Sequence, residues 1–196
     1  MIEQITSRQN LNAAYLQVYR NKGSGGVDGK SVYDLHQILR TNQTRDKTQI
    51  KSGSYPVSPI LGVEYPKGNG KTRLLGIPTV VDRVYQQALL QVLQPVFEAG
   101  FQTHSYGFRP SRNAQQGVLR SLENINAGYQ HIVDIDLRSF FDEVEHYVLL
   151  ELNFKEVKCK LTMKLLRSFL RAPIQINGRL HKRRKVEFVG PSLSVY

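Results

Sequence analysis

Two aspartates that alternate with apolar residues are the strongest candidates for chemistry in this chain. They stand in the segment Val133–Asp142, where Asp134 and Asp136 are separated by Ile135. Because successive side chains of a strand point to opposite faces, this pattern predicts a strand with one acidic face and one apolar face that lies against a core. Carboxylates at the end of a buried strand suit Mg²⁺, which proteins hold through one or two carboxylates plus substrate phosphates. The segment therefore indicates nucleotidyl transfer assisted by two metal ions.

Helices and strands around that segment are mixed without strict alternation, which favours an α+β fold. We predict helices at about 7–20, from Ser31 onward, from Asp82 to Gly100, from Ser111 to Ile125, within 142–154 and at 160–171. Strands are predicted within 57–77, at 131–137 and at 173–186, with hairpin turns at Gly68–Gly70 and Asn177–Gly178. The polar segment 41–54 is predicted to be a connecting loop.

Four further blocks precede the acidic segment in a fixed order: Asn21–Gly29, Tyr65–Pro78, Asp82–Gln87 and Ser105–Pro110. Together with Val133–Asp142 they resemble the conserved blocks of group II intron-encoded reverse transcriptases and maturases, the RNA-directed DNA polymerases of bacteria. The resemblance extends over roughly residues 20–185. It implies a right-hand polymerase fold with fingers and an incomplete palm, and no thumb.

The resemblance also implies a division of the chain into three parts. Residues 1–53 would form an N-terminal helical extension of the fingers, and residues 54–130 the fingers hairpin with helices that pack on the palm. Residues 131–196 would form a partial palm that carries the first catalytic motif. No aspartate follows Asp142, so the Tyr-Ala-Asp-Asp turn of the family is absent. We therefore expect a fragment that is truncated before the second motif and inactive alone.

Particular residues acquire roles from the resemblance. Asp136, followed by three residues and then Phe140 and Phe141, occupies the position of the catalytic metal ligand, and the backbone carbonyl of Leu137 would assist it. Lys67 and Arg73 flank the hairpin turn, where the family holds the nucleotide triphosphate, and Phe141 would pack under the incoming sugar and exclude a 2′-hydroxyl. The cofactor would be Mg²⁺ in the complete enzyme, and we expect no ordered ion in this fragment.

The net charge of +11 predicts a polyanionic partner. Between Lys155 and Lys185 there are eleven Lys or Arg residues against the single acid Glu156, an excess too one-sided for salt-bridge lacing. The expected partners are intron or template RNA and a DNA primer, with dNTP in the complete enzyme. The residues predicted to contact nucleic acid are Arg83, Arg109, Arg112, Lys182, Arg183, Arg184 and Lys185.

Two other features bound the class of protein. The single cysteine, Cys159, excludes an internal disulfide and fits a reducing compartment. No apolar run approaches the length of about 20 residues that a membrane-spanning helix needs. These features predict a soluble cytoplasmic protein that does not bind a membrane.

Two alternatives to the polymerase remain. In the first alternative, the chain is a catalytically inactive RNA-binding, maturase-like module. Metal-dependent primer extension would distinguish such a module from a polymerase. A nucleotidyl cyclase also carries an Asp-x-Asp strand followed by aromatic residues. That class needs a Gly-Gly-Asp/Glu-Glu-Phe turn downstream, which this sequence lacks.

Overall fold

A computed structural model describes residues 1–66, 72–137 and 140–182 of this chain, with the side chains at 73, 141 and 142 left out. Within these ranges the fold is a mixed α+β arrangement. The helices are α1 Ile2–Ile5, α2 Arg8–Asn21, α3 Leu35–Ser52, α4 Val80–Glu98, α5 Ala114–Asn126, α6 Phe140–Glu143, α7 His146–Val157 and α8 Lys160–Leu170. The strands are β1 Ile60–Pro66, β2 Thr72–Ile77, β3 Ile174–Ile176 and β4 Arg179–His181.

Helix α4 is the centre of the hydrophobic core. Its buried residues Val84, Tyr85 and Leu89 belong to one cluster with residues of α1, α2, α3, α7 and α8. The helix starts at Thr79, whose hydroxyl accepts a hydrogen bond from the Asp82 backbone N–H at 3.2 Å. The predicted start of this helix at Asp82 was therefore too late, because the threonine three residues earlier caps the helix and satisfies the free N–H group.

Helix α3 corrects the prediction of a polar loop at 41–54. It begins after the N-cap Asp34 rather than at Ser31 and runs to Gly53, which ends it in the left-handed conformation with φ 69°. Leu35, Leu39, Asp46 and Ile50 form its buried side. The buried carboxylate of Asp46 replaces an apolar residue in that stripe, so the hydrophobic periodicity of the helix is interrupted in the sequence.

The four strands form a single sheet in the order β2-β1-β3-β4. Strands β1 and β2 are antiparallel, with Leu61 opposite Ile77 and Pro66 opposite Thr72, so the predicted turn at 68–70 lies between them but outside the described residues. Strand β3 runs parallel to β1 and antiparallel to β4. The predicted turn at Asn177 and Gly178 is confirmed, and the positive φ values of 48° and 78° are those of a type I′ hairpin.

The predicted strand at 131–137 is not formed. The segment has no regular secondary structure, and its apolar residues are exposed, with Val133 82% and Ile135 80% accessible. An isolated strand is not stable in water because its backbone groups need a neighbouring strand, and none of the four described strands pairs with this segment. The alternation of residue types thus indicates a strand for which the described residues provide no partner.

Helix α5 also leaves its apolar side chains exposed. It begins at Ala114 rather than at Ser111, because the N-cap Asn113 and the third helical residue, Gln116, form a reciprocal capping box. Its apolar side chains Val118 and Leu122 are more than half exposed, and no residue of the helix is buried.

Within the described ranges, no helix is both long and apolar enough to cross a membrane.

Candidate catalytic and nucleic-acid-binding residues

Asp136, the predicted catalytic carboxylate, lies on the surface in the irregular segment that precedes α6. Its side chain is exposed and forms no hydrogen bond or ion pair with another described residue. The neighbouring Leu137, whose carbonyl is the second predicted metal ligand, is 63% exposed. The carboxylate is therefore accessible to a ligand, and no hydrogen bond or ion pair from the described part of the chain fixes its orientation.

The donor atoms at this position fit magnesium in type but not in number. Carboxylate and carbonyl oxygens are the ligands that Mg²⁺ prefers, and Asp134 and Asp136 are both exposed in the same segment. Within the described ranges, however, no group of three or more His, Cys, Asp or Glu side chains could hold a metal ion. The described residues thus do not assemble a complete magnesium site.

The three predicted nucleotide contacts fall largely outside the described part of the chain. Lys67 is not described, and the side chains of Arg73 and Phe141 are also left out. The backbone of Arg73 pairs with Tyr65 in the ladder between β1 and β2, and Phe141 belongs to α6. These positions place Arg73 near the end of the hairpin and Phe141 five residues after Asp136.

Arg83 on α4 is bound to the glycine-rich block that precedes α3. Its guanidinium donates to the carbonyl oxygens of Ser24 at 2.7 Å and Lys22 at 3.4 Å. A Cβ added at Gly23 would lie 2.9 Å from Arg83 Nη1, so the glycine permits this close approach. Burial lowers the pKa of Arg83, against the raising effect of Asp28. Its observed contacts hold the glycine-rich block against α4, and its nucleic-acid contact stays a prediction.

Arg109 is also engaged within the protein. Its side chain is 7% exposed, and Nη2 lies 2.7 Å from Oε1 of Glu98. Nη1 donates to the carbonyl oxygens of Gln102 at 2.6 Å and Ser105 at 3.0 Å. These bonds close the loop between α4 and α5 around one guanidinium, so in this structure its donors face protein rather than a ligand. Arg112 lies over the ring of Tyr106, 5.6 Å from its centroid.

The basic residues after β4 are described only at their start. Lys182 is exposed, and Arg183, Arg184 and Lys185 lie outside the described residues. A second set of exposed cations consists of Lys160, Lys164 and Arg167 on α8 and Arg171 at its C-cap. These residues belong to the basic stretch from Lys155 to Lys185 but were not among the individual residues predicted to contact nucleic acid. The signal that identifies them is the spacing of four, three and four residues, which places them along one side of the helix.

A buried acidic network beside β1 has no catalytic features. The two oxygens of Asp82 accept hydrogen bonds from the Tyr55 hydroxyl at 2.9 Å, the Thr79 hydroxyl at 2.9 Å and the Ser58 backbone N–H at 3.1 Å. The pKa of Asp82 is raised, because the effect of burial exceeds the opposing effect of these hydrogen bonds. Because protein donors already occupy both oxygens, the carboxylate stabilises the junction between β1 and α4.

Comparison with known proteins gives a consistent identity. The family model for "Reverse transcriptase (RNA-dependent DNA polymerase)" matches residues 65–192. Protein YkfC of Escherichia coli is 32% identical over 178 residues, which is 88% of this chain and 47% of that protein. The group II intron-encoded protein LtrA of Lactococcus lactis is 30% identical over 177 residues, or 86% of this chain and 28% of LtrA. The chain thus spans less than half the length of these relatives.

A solved structure has the same fold. A partial Cas6-RT-Cas1–Cas2 complex matches with a TM-score of 0.64 and 20% sequence identity, over 98% of this chain and 32% of the matched chain. This likeness supports the mixed α+β architecture described above. The matched residues 65–192 include Asp136, strand β2 and the last two residues of β1. The chain therefore belongs to the reverse transcriptase family and is similar to group II intron-encoded proteins.

Proposed function

We propose that this chain forms the fingers and part of the palm of a group II intron-type reverse transcriptase, which adds deoxynucleotides to a primer on an RNA template. The observation that carries this proposal is the family match over residues 65–192, which includes the Asp136 segment, strand β2 and the end of β1. In the proposed enzyme Asp136 is one of the magnesium ligands, and the Leu137 carbonyl is another.

The hairpin supports a role in nucleotide binding. Strands β1 and β2 are paired up to Pro66 and Thr72, so Lys67 directly follows the last paired residue of β1. Arg73 is the second residue of β2. An Arg fork and a Lys point charge are both suited to phosphate oxygens. We propose that these two residues hold the triphosphate and that Phe141 packs under the sugar, where its bulk favours deoxynucleotides.

Asp136 alone does not complete the metal site. Two metal ions separated by about 3.5–4 Å assist nucleotidyl transfer, and two like-charged ions at that distance need more than one carboxylate to offset their repulsion. The sequence contains no aspartate after Asp142. We therefore expect the 196-residue chain to give no primer extension by itself.

Fusion to a complementary segment tests the catalytic proposal. A family segment with a Tyr-Ala-Asp-Asp turn and a thumb is joined after Lys185, and incorporation of labelled dNTP is measured on an RNA template with magnesium. We expect activity in the fusion and its loss in Asp136→Asn. Asp134→Asn is the matched control, because it removes the same charge from the same exposed segment and should retain activity. A folded but inactive fusion, or equal activity of both variants, would contradict the proposal.

The charge of the chain favours a second candidate, a catalytically inactive RNA-binding module. The net charge of +11 and the basic residues from Lys182 to Lys185 support binding to phosphates. Affinity for single-stranded RNA should then fall with salt, with a logarithmic slope of about 0.7 per phosphate contact. Replacing Lys182, Arg183, Arg184 and Lys185 with alanine should flatten that slope. RNA binding together with an inactive fusion would favour this candidate, and absence of binding at low salt would exclude it.

A further inference from the structure

A groove between α7 and α8 combines positive charge with exposed aromatic rings. Its volume is about 540 Å³. The α7 side includes Tyr147, Leu150 and Phe154. The α8 side carries Lys160, Lys164, Arg167 and Arg171, which we call the α8 stripe. This groove is carried by elements other than the Asp136 segment and the β1–β2 hairpin.

The α8 stripe forms a continuous row of charge. All four side chains are exposed, and residues three or four positions apart are neighbours on a helix surface. Lys160 and Arg171 are eleven positions apart, which corresponds to roughly 16 Å along the axis at 1.5 Å per residue. This length is comparable to four or five steps of a stacked nucleic-acid strand at about 3.4 Å each. The stripe can therefore contact several consecutive phosphates.

Among the described residues, no acidic partner neutralises this row. None of the four cations forms an ion pair with another described residue, and α8 contains no acid. Glu151 on α7 is the one carboxylate among the residues that line the groove. Like charges at this spacing destabilise a helix, and Lys160 additionally lies at the positive end of the helix dipole. A polyanionic ligand would relieve both effects.

The aromatic residues of α7 favour a nucleic-acid strand over other polyanions. Tyr147 and Phe154 are separated by seven residues, so they lie on the same side of α7 two turns apart. Their side chains are 75% and 46% exposed, so a ligand can reach both rings. Exposed aromatic side chains beside a basic groove are the arrangement with which proteins bind unpaired bases, because every base has a face that stacks. In a duplex the bases are paired and stacked on one another, so their faces are not available to these rings.

We propose that the α7–α8 groove binds a single-stranded RNA segment, with phosphates along the α8 stripe and bases stacked on Tyr147 and Phe154. The identification of RNA rests on the proposed function above. The location of the site rests on the charge, exposure and spacing of these six side chains. Binding here requires neither a metal ion nor a nucleotide.

Charge-matched variants of the full chain test this site. The stripe variant is Lys160→Gln, Lys164→Gln, Arg167→Gln and Arg171→Gln, and the control variant is Arg8→Gln, Arg20→Gln, Lys30→Gln and Arg40→Gln. All eight residues are exposed and outside the ion pairs of the described structure, and each variant lowers the net charge by four. Circular dichroism checks that both remain folded.

Binding is measured by fluorescence anisotropy with a labelled 12-nucleotide single-stranded RNA and with an RNA duplex at several salt concentrations. The stripe variant should reduce the salt slope for the single strand by about 2–3, because each lost phosphate contact removes roughly 0.7. The control variant should leave the slope nearly unchanged. Tyr147→Ala and Phe154→Ala should each weaken single-strand binding by about 5- to 160-fold, the range that corresponds to loss of one base stack, and should leave duplex binding unchanged.

Photo-crosslinking gives a second measurement on the unmodified chain. Single-stranded RNA that contains 4-thiouridine should crosslink to peptides of α7 and α8. Equal losses in the stripe and control variants, or crosslinks confined to other elements, would overturn the groove proposal and leave RNA binding intact. Loss of binding to phosphatidylserine vesicles in the stripe variant, with RNA binding unchanged, would overturn it in favour of a membrane. Primer extension by the fusion with Asp136 intact tests the polymerase proposal separately.

Discussion

The hydroxyl of Tyr55 donates a hydrogen bond of 2.9 Å to the carboxylate of Asp82. Tyr55 lies in the connection between α3 and β1, and Asp82 is the third residue of α4. The ring of Tyr55 also contacts that of Tyr85 edge to face, with centroids 5.1 Å apart. The side chain of Tyr55 thus ties the segment between α3 and β1 to the central helix α4 at a buried carboxyl group.

Tyr55→Phe should therefore destabilise the protein. The substitution keeps the ring contacts but removes one donor from a buried carboxylate, which costs about 1–3 kcal/mol. Tyr129→Phe is the matched control, because Tyr129 is 70% exposed and its hydroxyl can bond to water in both states. Urea denaturation measures the free energies of unfolding. Equal values for the two variants would show that the Tyr55 hydroxyl does not stabilise the fold.

The raised pKa of Asp82 predicts a specific pH dependence of stability. Burial raises this pKa above its ordinary value of about 3.9, so the folded protein retains the proton at pH values where the unfolded chain has lost it. The contribution of Asp82 to the free energy of unfolding is then fully present below about pH 4 and decreases as the pH rises through the folded-state pKa.

Comparison with Asp82→Asn isolates this contribution. The variant loses hydrogen bonds, which adds an offset that does not depend on pH, but it has no proton to release at this position. The unfolding free energy of the natural chain relative to the variant should therefore fall as the pH increases above about pH 4, the ordinary pKa range of an aspartate. Denaturant titrations at each pH measure the difference. If this difference in unfolding free energy instead rises with pH, the hydrogen bonds from Tyr55, Thr79 and Ser58 lower the pKa of Asp82 by more than burial raises it.

The features predicted well from sequence are those with a strong local cause. The helix at about 7–20 and the apolar stripe of α4 follow from hydrophobic periodicity, and the hairpin at Asn177–Gly178 follows from residues that accept positive φ. The catalytic role of Asp136 stays a prediction, and it rests on motif order, which is independent of the conformation at 131–137.

The features predicted poorly depend on groups that are distant along the chain. Asp46 is polar, yet it belongs to the buried side of α3 because the Tyr85 hydroxyl donates to it at 3.1 Å. The segment 131–137 has the alternation of a strand, but alternation cannot supply the neighbouring strand that it requires. Arg109 was selected from the block Ser105–Pro110, and its nucleic-acid contact stays a prediction. Its place in that block does not reveal that Glu98 and two carbonyl oxygens accept hydrogen bonds from its guanidinium.

Arg109→Ala should lower stability by about 3 kcal/mol, the lower end of the range for breaking a buried ion pair, because Glu98 is 30% exposed. Arg120→Ala is the control. Arg120 and Glu123 form an exposed pair on α5, and its loss should cost less than about 0.5 kcal/mol. Chemical denaturation distinguishes the two. Unchanged stability of Arg109→Ala together with weaker RNA binding would instead support the nucleic-acid contact predicted from sequence.

The glycine-rich block makes a close backbone contact that a side chain would disrupt. A Cβ at Gly26 would lie 2.7 Å from the backbone nitrogen and 2.8 Å from the Cα of Thr79, the N-cap of α4. Backbone atoms at a helix start cannot move without disturbing the first turn, so Gly26→Ala should cost about 1–3 kcal/mol. In a chain of this size that corresponds to a decrease in Tm of roughly 2–12 °C.

Gly107→Ala is the matched control, because its Cβ would meet no atom within 4 Å. Its stability should change by less than about 0.5 kcal/mol. Differential scanning calorimetry of both variants measures the effect, and equal Tm values would show that the block is not held against α4 in solution.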